Sequence, residues 1–148
     1  MKRNNRKIVN PRFARGKKYK KVLHEIESVG VCPFCPKNFR WHTKPILKQS
    51  DDWFITENFN PYKNSQYHFV IINKKHKERF SELSLADWRN MARLALWAIK
   101  KFKIKGGGFA LRFGDAAFTG ATVCHIHAHV IVPKVKNKES VPVFFPIG

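Results

Sequence analysis

The stretch Cys124-His125-Ile126-His127-Ala128-His129-Val130-Ile131 decides the fold, because polar and apolar positions alternate along it. Alternation with a period of two is typical of a β-strand. The pattern predicts a strand over residues 123–132, with His125, His127 and His129 on one face and small or apolar side chains on the other. The apolar face is expected to pack against a core, which leaves a row of imidazoles for chemistry.

Other stretches predict the elements around this strand. Strand patterns occur at residues 44–48, 53–59, 67–73 and 109–113. Ser84 and Asp87 can cap a long helix that runs to residue 102 or 103, and a shorter helix is predicted over residues 22–30. The prediction is an α+β fold with about five mostly antiparallel strands, one long helix and a shorter one.

Charge is distributed unevenly along the 148 residues. The formal net charge is +19, and residues 1–21 hold ten Lys or Arg and no Asp or Glu. We predict a flexible basic arm over residues 1–21, which is suited to nonspecific nucleic-acid binding, and a folded domain over residues 22–148. Three cysteines do not suit a disulfide framework, and no apolar run approaches the roughly 18–20 residues of a bilayer span, so we expect a cytoplasmic protein without a transmembrane segment.

The histidine row suits chemistry at phosphorus. An imidazole that is neutral near pH 7 attacks without first losing a proton, and a neighbouring imidazole can carry the proton of a leaving group. The loop Thr119-Gly120-Ala121-Thr122 lies just upstream and offers backbone N–H groups and hydroxyls for phosphoryl oxygens. The alternative is a metal site of three histidines, or a structural histidine cluster without catalysis.

The sequence from about residue 31 to residue 133 resembles the histidine-triad (HIT) family. His125-Ile126-His127-Ala128-His129-Val130-Ile131 matches the family signature, in which three histidines alternate with apolar residues. Asn58-Phe59-Asn60-Pro61 looks like the family's nucleoside loop, and residues 68–76 look like the strand that follows it. The resemblance implies an antiparallel HIT-like sheet and nucleotide chemistry.

The resemblance also implies roles for single residues. His127 would be the nucleophile, and His129 would bind and polarise the phosphate. Thr122 would contact phosphate, and Gly120 would let the backbone come close, whereas Ala121 stands where many members have a polar side chain. The remaining expectations are a ribose contact for Asn58 and a place near the nucleotide for His68.

Cys32 and Cys35 have the two-residue gap that lets both thiolates bind one tetrahedral Zn²⁺. Family members with this pair complete a structural zinc site with two histidines, which implies His76 and His125 here. His42 is a competing third ligand because it is close in sequence. The alternative is a reduced thiol pair or a redox motif.

The leading hypothesis is an enzyme that acts at the α-phosphate of a nucleoside 5′-phosphate ester, anhydride or phosphoramidate through a nucleotidyl-histidine. Dinucleoside polyphosphates are the first substrates to test, because the loop resembles those of diadenosine polyphosphate hydrolases and phosphorylases. Whether water or phosphate is the final acceptor stays open. Alternatives are an aprataxin-like nucleic-acid deadenylase and a noncatalytic, zinc-stabilised nucleic-acid-binding module. The resemblance also implies a homodimer.

Overall fold

A computed structural model describes residues 7–148, so residues 1–6 of the predicted arm lie outside the described residues. The described chain has the α+β fold expected from the sequence. Its elements are α1 (Lys17–Val29), β1 (Ile46–Gln49), β2 (Trp53–Glu57), β3 (Ser65–Asn73), α2 (Leu85–Lys101), β4 (Gly108–Leu111), α3 (Ala116–Thr119), β5 (His127–Pro133), β6 (Val135–Lys136) and β7 (Glu139–Ser140). Within residues 7–148, no helix is long and apolar enough to cross a membrane.

The main sheet has five antiparallel strands in the order β1-β2-β3-β5-β4. Helix α2 covers one of its faces. Met91 and Ala98 of the helix belong to the same buried cluster as Ile71 of β3 and Ala128 of β5, and all four are fully buried. Burial of such side chains contributes roughly 1.5–3 kcal/mol each for the larger ones, which makes this layer the core of the fold.

The opposite face of the sheet presents His127 and His129. Strand β5 pairs with β3 so that His127 lies across from Ile72 and His129 lies across from Val70. Directly opposed residues of an antiparallel pair project to the same side of the sheet. Val70 and Ile72 are buried with Phe54 in a small cluster on that side, so the two imidazoles stand beside an apolar floor.

Helix α2 begins at the predicted cap. Ser84 Oγ accepts the Asp87 N–H at 3.2 Å, and Asp87 Oδ2 accepts the Ser84 N–H at 2.7 Å. Asp87 also accepts hydrogen bonds from Trp53 Nε1, Asn73 Nδ2 and Lys77 Nζ. Burial acts to raise the pKa of Asp87, but the hydrogen bonds from Lys77, Ser84 and Trp53 outweigh it, and the net pKa is lowered. The carboxylate thus ties α2 to β2 and to the end of β3.

Residues 7–21 are packed, in contrast to the predicted flexible arm. Val9 is 3% exposed and pairs with Val123, and α1 begins at Lys17 rather than near residue 22. The apolar stripe of α1 crosses the predicted boundary, because Tyr19 lies one helical turn before Val22 and Leu23. The predicted boundary at residue 21 cuts this stripe in two. Each part then has too few apolar residues to be recognised as one face of a helix.

Strand β5 begins at His127, four residues later than predicted. The residues before it bond to other parts of the chain: the Cys124 N–H donates to Ile8 O and the Ile126 N–H donates to Lys77 O, each at 2.7 Å. His125 is therefore outside the regular strand, and its ring turns toward Cys32. The prediction that all three histidines form one row holds for the last two and is corrected for His125.

Candidate active site and metal centre

A cavity of about 940 Å³, including the part open to solvent, lies over the histidine face of the sheet. Most of its walls come from four parts of the chain: helix α1 with the residues before it, the segment 33–42, the loop 58–62, and β5 with its entry loop. Val70, Arg112 and Pro146 complete the lining. The predicted residues that line it are His127, His129, Asn58, Gly120 and Thr122. His68 lies directly behind them, bonded to His129.

The His127 ring has a fixed tautomer. Its Nδ1 lies 2.7 Å from the carbonyl oxygen of His125. A carbonyl can only accept, so Nδ1 carries the proton and Nε2 keeps its lone pair. Burial lowers the pKa of His127 to about 4, so the ring is neutral near pH 7. Phe34 packs edge-on against the ring at 4.9 Å between centroids and restricts its rotation.

A chain of hydrogen bonds also fixes the His129 tautomer. The Tyr62 N–H donates to His68 Nδ1 at 3.1 Å, so the proton of His68 is on Nε2. That Nε2–H donates to His129 Nδ1 at 2.8 Å, which leaves the His129 proton on Nε2. Burial lowers the pKa of His68 to about 3 and that of His129 well below its usual value. Both rings are neutral near pH 7.

His129 Nε2 is buried and has no hydrogen-bond partner among residues 7–148. Buried donors are nearly always paired, because an unmade hydrogen bond costs about 1–3 kcal/mol. Among the described residues, the His129 Nε2–H therefore lacks the acceptor that a buried donor normally has. An oxygen of a ligand in the cavity is such an acceptor.

The entry loop of β5 brings Gly120 and Thr122 to the same cavity. Gly120 has φ +65° and follows α3, and a Cβ there would lie 2.6 Å from the Gly148 carbonyl oxygen. Only glycine fits both conditions. Thr122 Oγ1 lies 3.0 Å from the Tyr19 hydroxyl, a contact across 103 positions of sequence.

Asn58 begins the loop that connects β2 to β3. Its Oδ1 accepts the Asn60 N–H at 2.8 Å, which is a local turn contact. Its Nδ2 lies 3.1 Å from His68 Nε2, a contact and not a hydrogen bond because both nitrogens carry protons, and the residue lines the cavity. The side chain is thus held in place beside the histidines.

Arg112 lines the cavity although the sequence analysis did not predict it. Arg112, just after β4, donates to Tyr62 Oη and to the Pro146 carbonyl oxygen, and its guanidinium lies 4.0 Å from the Phe145 ring centroid. It is a cation on the cavity wall, and its charge acts to lower the pKa values of His127 and His129 further. No sequence motif predicts this position for Arg112, because Arg112 reaches the cavity through the pairing of β4 with β5 and through its hydrogen bond to the C-terminal segment.

Cys32, Cys35, His76 and His125 form a group that can hold a metal ion. Each offers one ligand atom, and these atoms all lie within 4.8 Å of one another. Cys32 Sγ is 3.2 Å from His125 Nδ1, and Cys35 Sγ is 3.7 Å from His76 Nδ1. Burial raises the pKa of Cys32 to about 12, so its thiol keeps its proton unless a cation replaces it.

The outer contacts of this group suit a metal. His125 Nε2 donates to the Asn73 carbonyl oxygen at 2.7 Å, and His76 Nε2 lies 3.1 Å from Glu78 Oε1. In both rings the proton is therefore on Nε2, and Nδ1 faces the thiols with a free lone pair. A carbonyl or carboxylate behind a histidine ligand is the usual way to orient it. The donor set fits a tetrahedral metal.

His42, the competing ligand, lies elsewhere. Its Nε2 is 2.8 Å from Thr56 Oγ1, and its ring stacks on Phe39 at 4.6 Å between centroids. The metal-ligand group found in the described part of the chain contains His76 and not His42. Burial lowers the pKa of His42 to about 4, so it lines the cavity as a neutral ring.

A family model for the HIT domain matches residues 42–136, which is more than half of the chain, and the chain therefore belongs to the HIT family. Solved structures of similar fold include a histidine triad nucleotide-binding protein from Candida albicans, with a TM-score of 0.59 and 19% identity over 80% of this chain and 85% of that one. A Zn-bound histidine triad family protein from Mycobacterium smegmatis has a TM-score of 0.55 and 22% identity over 78% and 83%.

A third similar structure is the diadenosine triphosphate hydrolase of Plasmodium falciparum, with a TM-score of 0.50 and 19% identity over 64% of this chain and 65% of that one. At such identities the similarity shows the fold alone. No curated protein matches the chain.

Proposed function

We propose that the protein is a nucleotide hydrolase or nucleotidyltransferase that acts at the α-phosphate of nucleoside 5′-phosphate esters, anhydrides or phosphoramidates. His127 Nε2 attacks the phosphorus, a P–N bond forms, and the bond from phosphorus to the leaving group breaks with its electron pair on the leaving group. An acceptor then attacks the same phosphorus and displaces His127. The observation that carries this proposal is the bond from His127 Nδ1–H to the His125 carbonyl, which leaves the Nε2 lone pair for attack.

The surrounding donors support the same chemistry. The unpartnered N–H of His129 and the hydroxyl of Thr122 suit non-bridging phosphoryl oxygens, on which charge grows as the phosphorus is attacked. Arg112 adds a positive charge to the cavity wall. Asn58 is proposed to contact the ribose, His68 to hold His129, and Gly120 to admit the phosphate close to the backbone.

Dinucleoside polyphosphates are the first substrates to test, because their phosphate leaving group departs as an anion and needs no proton. Incubation with diadenosine and diguanosine polyphosphates, with and without inorganic phosphate, separates the two acceptors. With a dinucleoside tetraphosphate the leaving group is a nucleoside triphosphate. Water as acceptor gives a nucleoside monophosphate beside it, whereas phosphate as acceptor gives a nucleoside diphosphate beside it. If neither product forms from any of these compounds or from a nucleoside phosphoramidate, the proposal is wrong.

We further propose that the metal is zinc and that it is structural, held by Cys32, Cys35, His76 and His125. Two thiolates and two imidazoles are the ligands that tetrahedral Zn²⁺ prefers, and four protein ligands leave no open position for a reacting molecule. Thiolate ligands persist in a reducing compartment, so we place the protein in the cytoplasm. Recovery of a Cys32–Cys35 disulfide from protein isolated under native conditions would argue against both statements.

A second candidate function concerns nucleic acid. Lys17, Lys18, Lys20 and Lys21 are exposed on α1, the same helix that lends Tyr19 to the cavity wall. We propose that they attract the phosphates of a polynucleotide, either as a noncatalytic module or to bring a nucleotidylated nucleic-acid end to His127. Phosphate contacts make such binding strongly dependent on salt.

Substitution of these four lysines by glutamine is expected to weaken binding of a single-stranded oligonucleotide by about tenfold or more at low salt and to reduce its salt dependence. Turnover of a free dinucleotide should stay unchanged. The matched control replaces four exposed lysines at the C-terminal end of α2 and just after it: Lys100, Lys101, Lys103 and Lys105. Equal losses in both variants, measured by fluorescence anisotropy, would mean a general charge effect and no site on α1.

We also propose a homodimer whose sheet continues across the interface through β4. Within residues 7–148, β4 is an edge strand that pairs with β5 alone, and Phe109 on it is 47% exposed. An exposed edge with an apolar side chain is a natural site for strand pairing. Equilibrium sedimentation at micromolar concentration should give the dimer mass, and a monomer mass would contradict this assignment.

A further inference from the structure

We propose that Tyr19 is a positioning residue for the phosphate-binding loop: its hydroxyl donates to Thr122 and so turns the Thr122 hydroxyl proton toward a phosphoryl oxygen. The inference rests on the proposed function, because it names how that site binds phosphate. Tyr19 lies outside residues 42–136, the part of the chain that matches the HIT domain, whereas Thr122 lies within it.

The Tyr19 hydroxyl lies where it can act on the loop. Its oxygen is 3.0 Å from Thr122 Oγ1, and both residues line the cavity that holds His127. The Tyr19 ring is 6.1 Å from the Phe59 ring between centroids, so it is held between α1 and the loop 58–62. Burial raises the pKa of Tyr19, so the phenol keeps its proton near pH 7 and remains a donor.

The direction of this hydrogen bond decides what Thr122 can do. Each hydroxyl has one proton. If Tyr19 donates, Thr122 has its proton left for a third group; if Thr122 donates, only lone pairs of Thr122 face the cavity. An anionic phosphate needs donors and is repelled by lone pairs, so bound phosphate selects the first arrangement. Tyr19, Thr122 and the phosphoryl oxygen then form one chain of hydrogen bonds.

The N-terminal segment also holds the backbone of the loop. The Asn10 N–H donates to the Thr122 carbonyl oxygen at 2.8 Å, and Val9 pairs with Val123. Thr122 is thus fixed at its carbonyl and its side chain by residues 9–19. Ala121, beside it, is 8% exposed and has no polar side chain to offer a phosphate. Within the loop 119–122, Thr122 carries the hydroxyl that lines the cavity, and the Tyr19 hydroxyl makes this donor more effective.

The test measures phosphate recognition directly. Affinities for AMP and GMP, and for adenosine and guanosine as phosphate-free partners, are determined by calorimetry for the wild type and for Tyr19→Phe. We expect Tyr19→Phe to weaken binding of the monophosphates by about fivefold to tenfold, the size of one hydrogen bond between neutral groups, and to leave nucleoside binding within twofold. Tyr67→Phe, in a tyrosine that stacks on Phe69 under α2, is the matched control and should match the wild type.

A double-mutant cycle with Thr122→Val separates positioning from packing. In the Thr122→Val background, Tyr19→Phe should have no further effect on monophosphate affinity or on kcat/KM. Equal effects in both backgrounds, equal weakening of nucleosides and monophosphates, or wild-type affinity in Tyr19→Phe would each overturn the inference. If the affinities of Tyr19→Phe and of the double mutant are as expected but the wild type shows no turnover, the inference stands and the proposed catalysis is refuted.

Discussion

Replacement of His127 by alanine is expected to lower kcat/KM for a dinucleoside polyphosphate by at least about 1,000-fold, with the fold intact. Because His127 Nε2 is proposed as the attacking atom, the variant loses the covalent route and retains only binding and charge stabilisation. The loss corresponds to about 4 kcal/mol or more of transition-state stabilisation. Steady-state kinetics with the purified variant measures it, and circular dichroism checks the fold.

His24→Ala is the matched control for this experiment. His24 is exposed on α1 and its ring lies beside Glu27, outside the cavity lining. Its removal should change kcat/KM less than twofold. A His127→Ala variant with more than a tenth of the wild-type rate, or a His24→Ala variant as impaired as His127→Ala, would rule out His127 as the nucleophile.

Replacement of Cys32 by serine is expected to remove the bound zinc and to lower Tm by about 10–15 °C. The loss of a metal ligand in a buried site costs on the order of 4 kcal/mol, and each kcal/mol shifts Tm by about 2–4 °C in a domain of this size. Turnover should fall as well. Phe34 sits between the two cysteines and packs against His127, and His125 offers the carbonyl that fixes the His127 tautomer.

Cys124→Ala supplies the control, because Cys124 is a buried thiol outside the group of metal ligands. That variant should keep about one zinc per chain, while Cys32→Ser should hold less than a tenth of that amount under reducing conditions. Both contents are measured by plasma emission spectrometry. Wild-type protein without zinc, or equal zinc in the two variants, would contradict the assignment of the metal centre.

Alternation was sufficient to predict that His127 and His129 share one face of the sheet. In β5, His127 and His129 alternate with residues that fill the core under α2, and the register against β3 puts them on the cavity side. The helix cap at Ser84 was equally readable, because the cap is a local contact between residues three apart. Features set by a local period or a local hydrogen bond are therefore available from the sequence.

Contacts between distant segments were not predictable in this way. The start of β5 depends on hydrogen bonds from Cys124 and Ile126 to Ile8 and Lys77, and no period in the sequence reports them. Tyr19 was assigned to a basic arm because lysines surround it, although its ring belongs to the apolar stripe of α1. Arg112 reaches the cavity only because β4 pairs beside β5 and the C-terminal segment folds back.

The proposed function requires that the His127 imidazole become bonded to phosphorus during turnover. The most direct measurement is rapid quenching of the enzyme with a dinucleoside polyphosphate under denaturing, mildly alkaline conditions, followed by mass spectrometry of the peptides. We predict one nucleoside monophosphate group on the peptide with residues 125–129, located on His127 and absent from His127→Ala. A nucleotide on another residue, or product formed in the first turnover with no bonded protein at any time, would contradict the account.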